Sequence, residues 1–217
     1  MLEVPMSAVN SRAPVPMTRQ RGVTLIEALI AGIVLAIGIL GVVSLLALSK
    51  VSQHETIQRT RAISLADDIL ERIRRNPAGI TAYQTGTTGF ENPLGNGSIT
   101  DEPDPDCSTA TCTPAQLAAH DRWAWERLLD GASVTVTDGG TTTSTTRIRG
   151  LRGCIAFAAD AGKTNTGVVS VVLQWQGLRD TADAVPTGNV CGGDAAGTDP
   201  TRRQVVIDTY LIDETEL

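Results

Sequence analysis

Four cysteines carry the clearest covalent chemistry in this chain of 217 residues: Cys107, Cys112, Cys154 and Cys191. An even number of cysteines in an exported chain predicts two disulfides. The favoured pairing joins Cys107 to Cys112, closing a small loop, and Cys154 to Cys191, tying a strand to a later loop. Zinc binding is the competing interpretation, and it is weak because no second close cysteine pair follows and the chain has only 2 histidines.

The histidines do not indicate catalysis. His54 lies in a polar helical stretch, and His120 stands beside Asp121 on a short predicted helix. The sequence has no Gly-x-Ser-x-Gly elbow, phosphate-binding glycine loop or His-Glu-x-x-His motif. A Ser–His–Asp triad forms in space, so sequence spacing does not address it. We expect no enzyme, no catalytic residues and no cofactor.

The segment Asp101-Glu-Pro-Asp-Pro-Asp106 is acidic enough to suggest calcium. Its carboxylates lack the spacing and the turn glycine of a standard calcium loop. A solvated acidic loop is the favoured interpretation, and we expect no metal ligand in the chain.

One carboxylate, Glu27, stands inside an apolar run that extends from Val23 to Ser49. The stretch from Ala28 to Ser49 has no charge and spans about 33 Å as a helix, close to the ~30 Å hydrocarbon core of a bilayer. A carboxylate at this depth costs several kcal/mol unless it is paired. A plain membrane anchor leaves that cost without compensation.

The flanks of the apolar run distinguish it from a secretory signal peptide. The run is too long, and no small-residue cleavage site follows it. Arg19 and Arg21 precede it, which favours a cytoplasmic N-terminus and an external C-terminal part.

The segment Arg21-Gly22-Val23-Thr24-Leu25-Ile26-Glu27 resembles the processing site of type IV prepilins and pseudopilins. The resemblance implies that a membrane peptidase cuts between Gly22 and Val23 and methylates the new amine of Val23. It also implies that Glu27 supports assembly, where it pairs with that amine on a neighbouring subunit. Val23 departs from the family, which most often has Phe there.

Residues 1–22 are then the prepilin leader. The stretch from Met17 to Gly22 alone is a basic leader of the usual short kind, which suggests that translation starts at Met17.

A helical pattern continues beyond Ser49 and stops at Asn76-Pro77. The pairs Asp68–Arg72 and Glu71–Arg75 have the favourable i, i+4 order on one side. The other side carries an apolar stripe that should pack on a sheet: Ala62, Ala66, Ile69 and Ile73, with Leu65 and Leu70 beside them. The predicted helix thus has a transmembrane and assembly part, residues 23–49, and a stem, residues 50–76.

The stem end, Leu65-Ala-Asp-Asp-Ile-Leu-Glu-Arg-Ile-Arg-Arg-Asn-Pro77, resembles that of PilV-type minor pilins of type IV pili. The resemblance continues through Cys107 and Cys112 to Val171-Val-Leu-Gln-Trp-Gln-Gly177, so it covers most of the chain. Many major pilins have Pro where this chain has Ser44, which puts the usual helix kink of the family in question.

The resemblance implies a structural subunit of low abundance that helps to start a pilus and joins its tip complex. The implied partners are other minor pilins, the major pilin, the prepilin peptidase, the inner-membrane assembly platform and a tip adhesin. The implied location is the bacterial inner membrane, with the head in the periplasm, and then the pilus on the cell surface.

Residues 77–217 form the predicted head. Thr113, Pro114 and Gln116 predict a helix start, and this helix should run to about Leu129. Long loops should cover 77–113 and 177–203. Four strands are expected: Ala132–Thr137, Arg152–Ala158, Val168–Gln176 and Gln204–Ile212. A long helix followed by antiparallel strands is an α+β plan, and the resemblance implies the pilin fold.

Charge argues against nucleic-acid binding. The net charge is −6, and removing residues 1–22, with three Arg and one Glu, leaves −8. Sequence-independent binding to the phosphates of DNA or RNA needs a basic protein surface. Within the predicted head, Arg147, Arg149 and Arg152 form a small local basic cluster, so a DNA-capturing competence pilin is a weaker alternative.

Two further alternatives stay open. A pseudopilin of a type II secretion system would share the first 50 residues and differ in the head. A membrane-anchored periplasmic protein that never enters a filament would not be processed at Gly22.

Overall fold

The computed structural model describes residues 22, 24–95, 97–131, 135–138, 141–144, 148–180, 190–192 and 199–217. The chain divides into two compact units, Met1–Leu48 and Ser49–Leu217. Helix α1, Leu25–Arg75, contributes its apolar section to the first unit and its remainder to the second.

Helix α1 has clear end signals. The hydroxyl of Thr24 accepts a hydrogen bond from the backbone N–H of Glu27 at 3.3 Å, which satisfies one of the free donors at the helix start. The helix ends before Asn76, because Pro77 disfavours helical geometry in the residue that precedes it. No break occurs at Ser44, whose hydroxyl donates to the carbonyl of Leu40 at 3.0 Å.

Within the second unit, α1 buries the predicted apolar stripe. Ala62, Ala66 and Ile69 have no exposed surface, and Leu70 and Ile73 are almost as fully buried. Their spacing of three and four residues places them along one face of the helix. Full burial of a Leu or Ile side chain contributes about 1.5–3 kcal/mol, so this face holds α1 to the head.

The segment 77–113 is less irregular than its composition indicates. It begins with a 3-10 turn, Pro77–Gly79, and a short helix α2, Ile80–Tyr83. Ile80 and Tyr83 have no exposed surface. Burial of these two side chains holds the chain in helical turns, a tertiary effect that Gly, Thr and Pro content does not reveal.

Helix α3 spans Pro114–Leu129, as expected. It starts with a capping box: the hydroxyl of Thr113 accepts from the backbone N–H of Gln116 at 3.3 Å, and the side chain of Gln116 accepts from the N–H of Thr113 at 2.9 Å. Trp125 is fully buried, and its indole N–H donates to the carbonyl of Leu65 at 2.8 Å. This bond joins α3 to α1.

The strands of the described chain form two sheets. A hairpin pairs β1, Thr135–Asp138, with β2, Thr141–Ser144. A three-stranded antiparallel sheet has the order β3-β4-β5, with β3 at Arg152–Ala159, β4 at Gly167–Gln176 and β5 at Arg202–Leu211. Together with α1, this sheet gives the predicted α+β, pilin-like fold.

The prediction of about four strands in one sheet was too high by one. The strand expected at Ala132–Thr137 lies partly outside the described residues, and its described part belongs to β1. The paired segments Thr135–Asp138 and Thr141–Ser144 contain a single apolar residue, Val136. They therefore lack the apolar face that would hold a strand against the core.

One face of the sheet lies against the main core, and the opposite face is covered only in part. Val169, Val171 and Leu173 of β4 face the main core with the α1 stripe. On the other face, Val172 packs with Cys154 and Cys191, which are all fully buried. At Gly153 a Cβ atom would overlap the ring of Trp125, so only glycine lets α3 approach β3 this closely.

Candidate assembly surface and the head contacts

The first candidate site is the assembly segment, which we define as Leu25–Leu48 of α1. Fifteen large apolar side chains in this segment are each at least half exposed. α1 is long and apolar enough to cross a membrane, judged by length and composition. Apolar surface of this extent marks contact with lipid or with other proteins.

Glu27 is the single charged side chain of the assembly segment. It is exposed, and no described residue donates a hydrogen bond to its carboxylate. Gly22, the residue before the predicted cut, is also exposed, whereas Val23 lies outside the described residues. The segment therefore offers one negative charge within an apolar surface.

Two ion pairs form between charged side chains of the stem. One was predicted, and the other joins a predicted residue to a different partner. Arg72 contacts Asp68 at 2.9 Å, as expected. Glu71 pairs with Arg74 at 2.5 Å rather than with Arg75. Arg75 instead donates to the backbone carbonyl of Glu71 at 3.3 Å. A spacing of three residues also brings side chains together on a helix, which explains the difference.

The stem is also fixed to β5 by polar contacts. Arg203 donates to the carboxylate of Glu55 at 3.3 Å. Arg74 donates to the hydroxyl of Thr209 at 3.0 Å. Glu55 lies before the buried stripe in the helix and Arg74 lies after it, so the two contacts hold the stem at both ends of the stripe.

Asp121 connects three helices. One carboxylate oxygen accepts from Arg72 of α1 at 3.0 Å, and the other accepts from the hydroxyl of Tyr83 of α2 at 2.5 Å. Burial raises the pKa of Tyr83, and its hydrogen bond to Asp121 raises the pKa further. Asn76 completes the junction by donating to the carbonyl of Pro114 at 2.8 Å. The stem end, α2 and α3 therefore act as one packed unit.

Glu126 is a second buried carboxylate that organises a loop. It accepts from the backbone N–H groups of Gly95 and Ser98, each at 2.6 Å, and from the hydroxyl of Ser98 at 2.7 Å. Nearby Asp130 accepts from the N–H of Gly97 at 2.9 Å. The loop before the acidic segment is thus held to the end of α3.

Both disulfides have the favoured pairing. Cys107 is bonded to Cys112, and Cys154 to Cys191. The first closes the loop that leads into α3, and the second joins β3 to the segment before β5. These sulfurs are therefore not available as metal ligands.

The histidines have different environments. His54 is exposed on α1. His120 faces Glu102 and Asp106 of the acidic segment, with its Nε2 at 3.7 and 3.5 Å from their nearest carboxylate oxygens. Sequence reasoning placed His120 beside Asp121 and missed this cluster. The two residues point in different directions from α3, since Asp121 faces Arg72 and Tyr83.

The weak basic cluster is only partly within the described chain. Arg152 is exposed at the first position of β3, Arg149 is exposed in the turn before that strand, and Arg147 lies outside the described residues.

Comparison with known proteins gives one relationship. Residues 46–123 match the model of the Tt1218-like family, described as type IV pilin Tt1218. No curated protein and no solved structure matches the chain. The match covers about a third of the chain, from the last turn of the assembly segment to Trp123 of α3. This part of the chain is similar to a type IV pilin, and the similarity supports a type IV pilin family for the protein.

Proposed function

We propose that the protein is a minor pilin of the PilV type, a structural subunit that helps to initiate a type IV pilus and to form its tip. The observation that carries the proposal is the type IV pilin match on a segment that continues directly from the exposed apolar part of α1. The family is structural, and we assign no enzymatic activity to this member.

The proposed cycle begins in the inner membrane, with the head in the periplasm. The prepilin peptidase removes residues 1–22 and methylates the amine of Val23. The assembly segment of α1 then leaves lipid and packs among the equivalent helices of other minor pilins and the major pilin. The assembly platform drives this step, and the tip complex presents an adhesin.

Glu27 has a defined role in this cycle. An unpaired carboxylate within lipid costs several kcal/mol. A neighbouring subunit can compensate that charge with the ammonium group that cleavage creates on its Val23. The pair forms only when two processed subunits dock, so Glu27 favours the assembled state over the free one.

The test compares Glu27→Gln with Glu71→Gln in cells that lack the native gene. Glu71 is a carboxylate of the same helix, pairs with Arg74 and lies outside the assembly segment, so its variant is the matched control. We expect both variants in the membrane, but Glu27→Gln should be reduced at least tenfold in sheared filaments. Equal incorporation of the two variants would argue against the role given to Glu27.

A second measurement addresses the minor role. Quantitative mass spectrometry of sheared filaments should find the protein well below the main subunit, and deletion of the gene should reduce the number of pili per cell. Unchanged pili, together with retention of secreted enzymes in the periplasm, would favour the type II pseudopilin.

A further inference from the structure

The acidic segment and α3 bring three metal-ligating side chains together. Glu102 and Asp106 come from the segment, and His120 comes from the second turn of α3. Their nearest donor atoms, one oxygen from each carboxylate and one imidazole nitrogen, all lie within 4.8 Å of one another. His120 is mostly buried, with 16% of its side chain exposed, while the side chains of Glu102 and Asp106 are 46% and 39% exposed.

The separations fit shared metal ligation better than direct hydrogen bonding. The Nε2 of His120 is 3.7 Å from Glu102 and 3.5 Å from Asp106, beyond the usual 2.7–3.2 Å of an N–H···O hydrogen bond. Ligands at about 2.0–2.1 Å from a tetrahedral ion are about 3.4 Å apart. The two distances from His120 are therefore within a few tenths of an ångström of this ligand separation, and the third separation, between the carboxylate oxygens, is at most 4.8 Å.

Two of the three proposed ligands, Asp106 and His120, are held in place by contacts of their own. Asp106 accepts from the backbone N–H of Ser108 at 2.8 Å and from the hydroxyl of Thr109 at 3.2 Å. These two hydrogen bonds fix the orientation of the Asp106 carboxylate. The Cys107–Cys112 disulfide follows directly. His120 is fixed by its place on the capped helix α3.

We propose that Glu102, Asp106 and His120 form a binding site for a divalent transition-metal ion of the zinc type, with solvent at the fourth position. An imidazole nitrogen with two carboxylate oxygens suits Zn²⁺, whereas Ca²⁺ takes six to eight oxygens. A bound ion would tie the acidic segment to α3. From the sequence we expected no metal ligand, because the sequence does not show that His120 faces the acidic segment.

The test uses the oxidised full-length chain in detergent, without an affinity tag, after removal of metal with EDTA. Calorimetric titration with ZnCl₂ should give one saturable site per chain, and Zn²⁺ should raise the thermal midpoint. His120→Gln should weaken Zn²⁺ binding at least about tenfold. His54→Gln, the matched histidine control, should leave the affinity unchanged.

A second pair of variants separates ligation from diffuse attraction to negative charge. Glu102→Gln with Asp106→Asn removes two proposed ligands, and Asp101→Asn with Asp104→Asn removes the same charge from the same segment. Only the first double variant should lose the site.

Three results would each overturn the proposal. The first is an equal loss of Zn²⁺ affinity in the two double variants. The second is an unchanged Zn²⁺ affinity in His120→Gln. The third is a Ca²⁺ affinity that equals the Zn²⁺ affinity and does not change in His120→Gln. Circular dichroism and the metal-free thermal midpoint check that every variant is folded.

Discussion

Asp121 shows how much of the head depends on a single side chain. It bonds Arg72 and Tyr83 from two other helices, and 11% of its side chain is exposed. Arg72 also contacts Asp68, whose side chain is 39% exposed. The same arginine thus has one buried and one solvated carboxylate partner, which allows a controlled comparison.

Replacing Asp121 with Ala should reduce the free energy of unfolding by about 3 kcal/mol, because Arg72 and the Tyr83 hydroxyl lose their shared buried partner. Asp68→Ala, the control, should cost less than about 1 kcal/mol, since a solvated pair contributes little. Chemical denaturation in detergent measures both values. Similar losses in the two variants would mean that Asp121 is not the organising residue.

Glu91 should make the stability of the folded protein depend on pH, and the direction of that dependence follows from its pKa. Hydrogen bonds from the side chain and the backbone N–H of Thr88 lower its pKa from 4.5 to about 2. A lowered pKa in the folded state adds stability above the unfolded value, and that stability disappears as the pH falls from about 4.5 towards 2.

Glu91→Gln should therefore be less stable than the wild type at pH 7, with a difference that shrinks steadily below pH 4.5. Denaturation curves of both proteins at several pH values measure it. Thr88→Val, which removes one of the donors, should reduce the difference in the same pH window. A difference that is constant from pH 7 to pH 3 would refute the assignment.

At the scale of elements, the two disulfides close loops of different length. Cys107 and Cys112 are 5 residues apart, and Cys154 and Cys191 are 37 apart. A longer closed loop restricts the unfolded chain more. The longer bridge is also buried beside Val172, on the face of the sheet opposite the main core.

Replacing both Cys154 and Cys191 with Ser should reduce the free energy of unfolding by about 4 kcal/mol, and the same change at Cys107 and Cys112 by about 2 kcal/mol. Denaturant titration of the two double variants gives the comparison. The order of the two losses is the decisive result, and a larger loss for the short loop would contradict the loop-length argument.

The elements also show which features can be predicted from sequence. The α1 stripe and the α3 capping box were predicted, since helix period and cap signals act over a few residues. The number of strands in the sheet and the helix α2 were not predicted. Both depend on which side chains the rest of the head buries. His120 facing Glu102 depends on the path of a loop, which no local pattern encodes.

For the whole molecule, the contrast between the two ends of α1 is the central feature. The stem buries its apolar face within the head, whereas the assembly segment exposes its own. A cut before Val23 would leave that segment at the very start of the mature chain. It would also remove the basic leader and leave a net charge of −8.

The most direct test of the account is the intact mass and N-terminal sequence of the protein recovered from native membranes. We expect a mature chain that begins at Val23 and is heavier by one methyl group. A chain that retains residues 1–22, or one that is cut beyond Ser49, would contradict processing at Gly22 and the assembly role of Glu27.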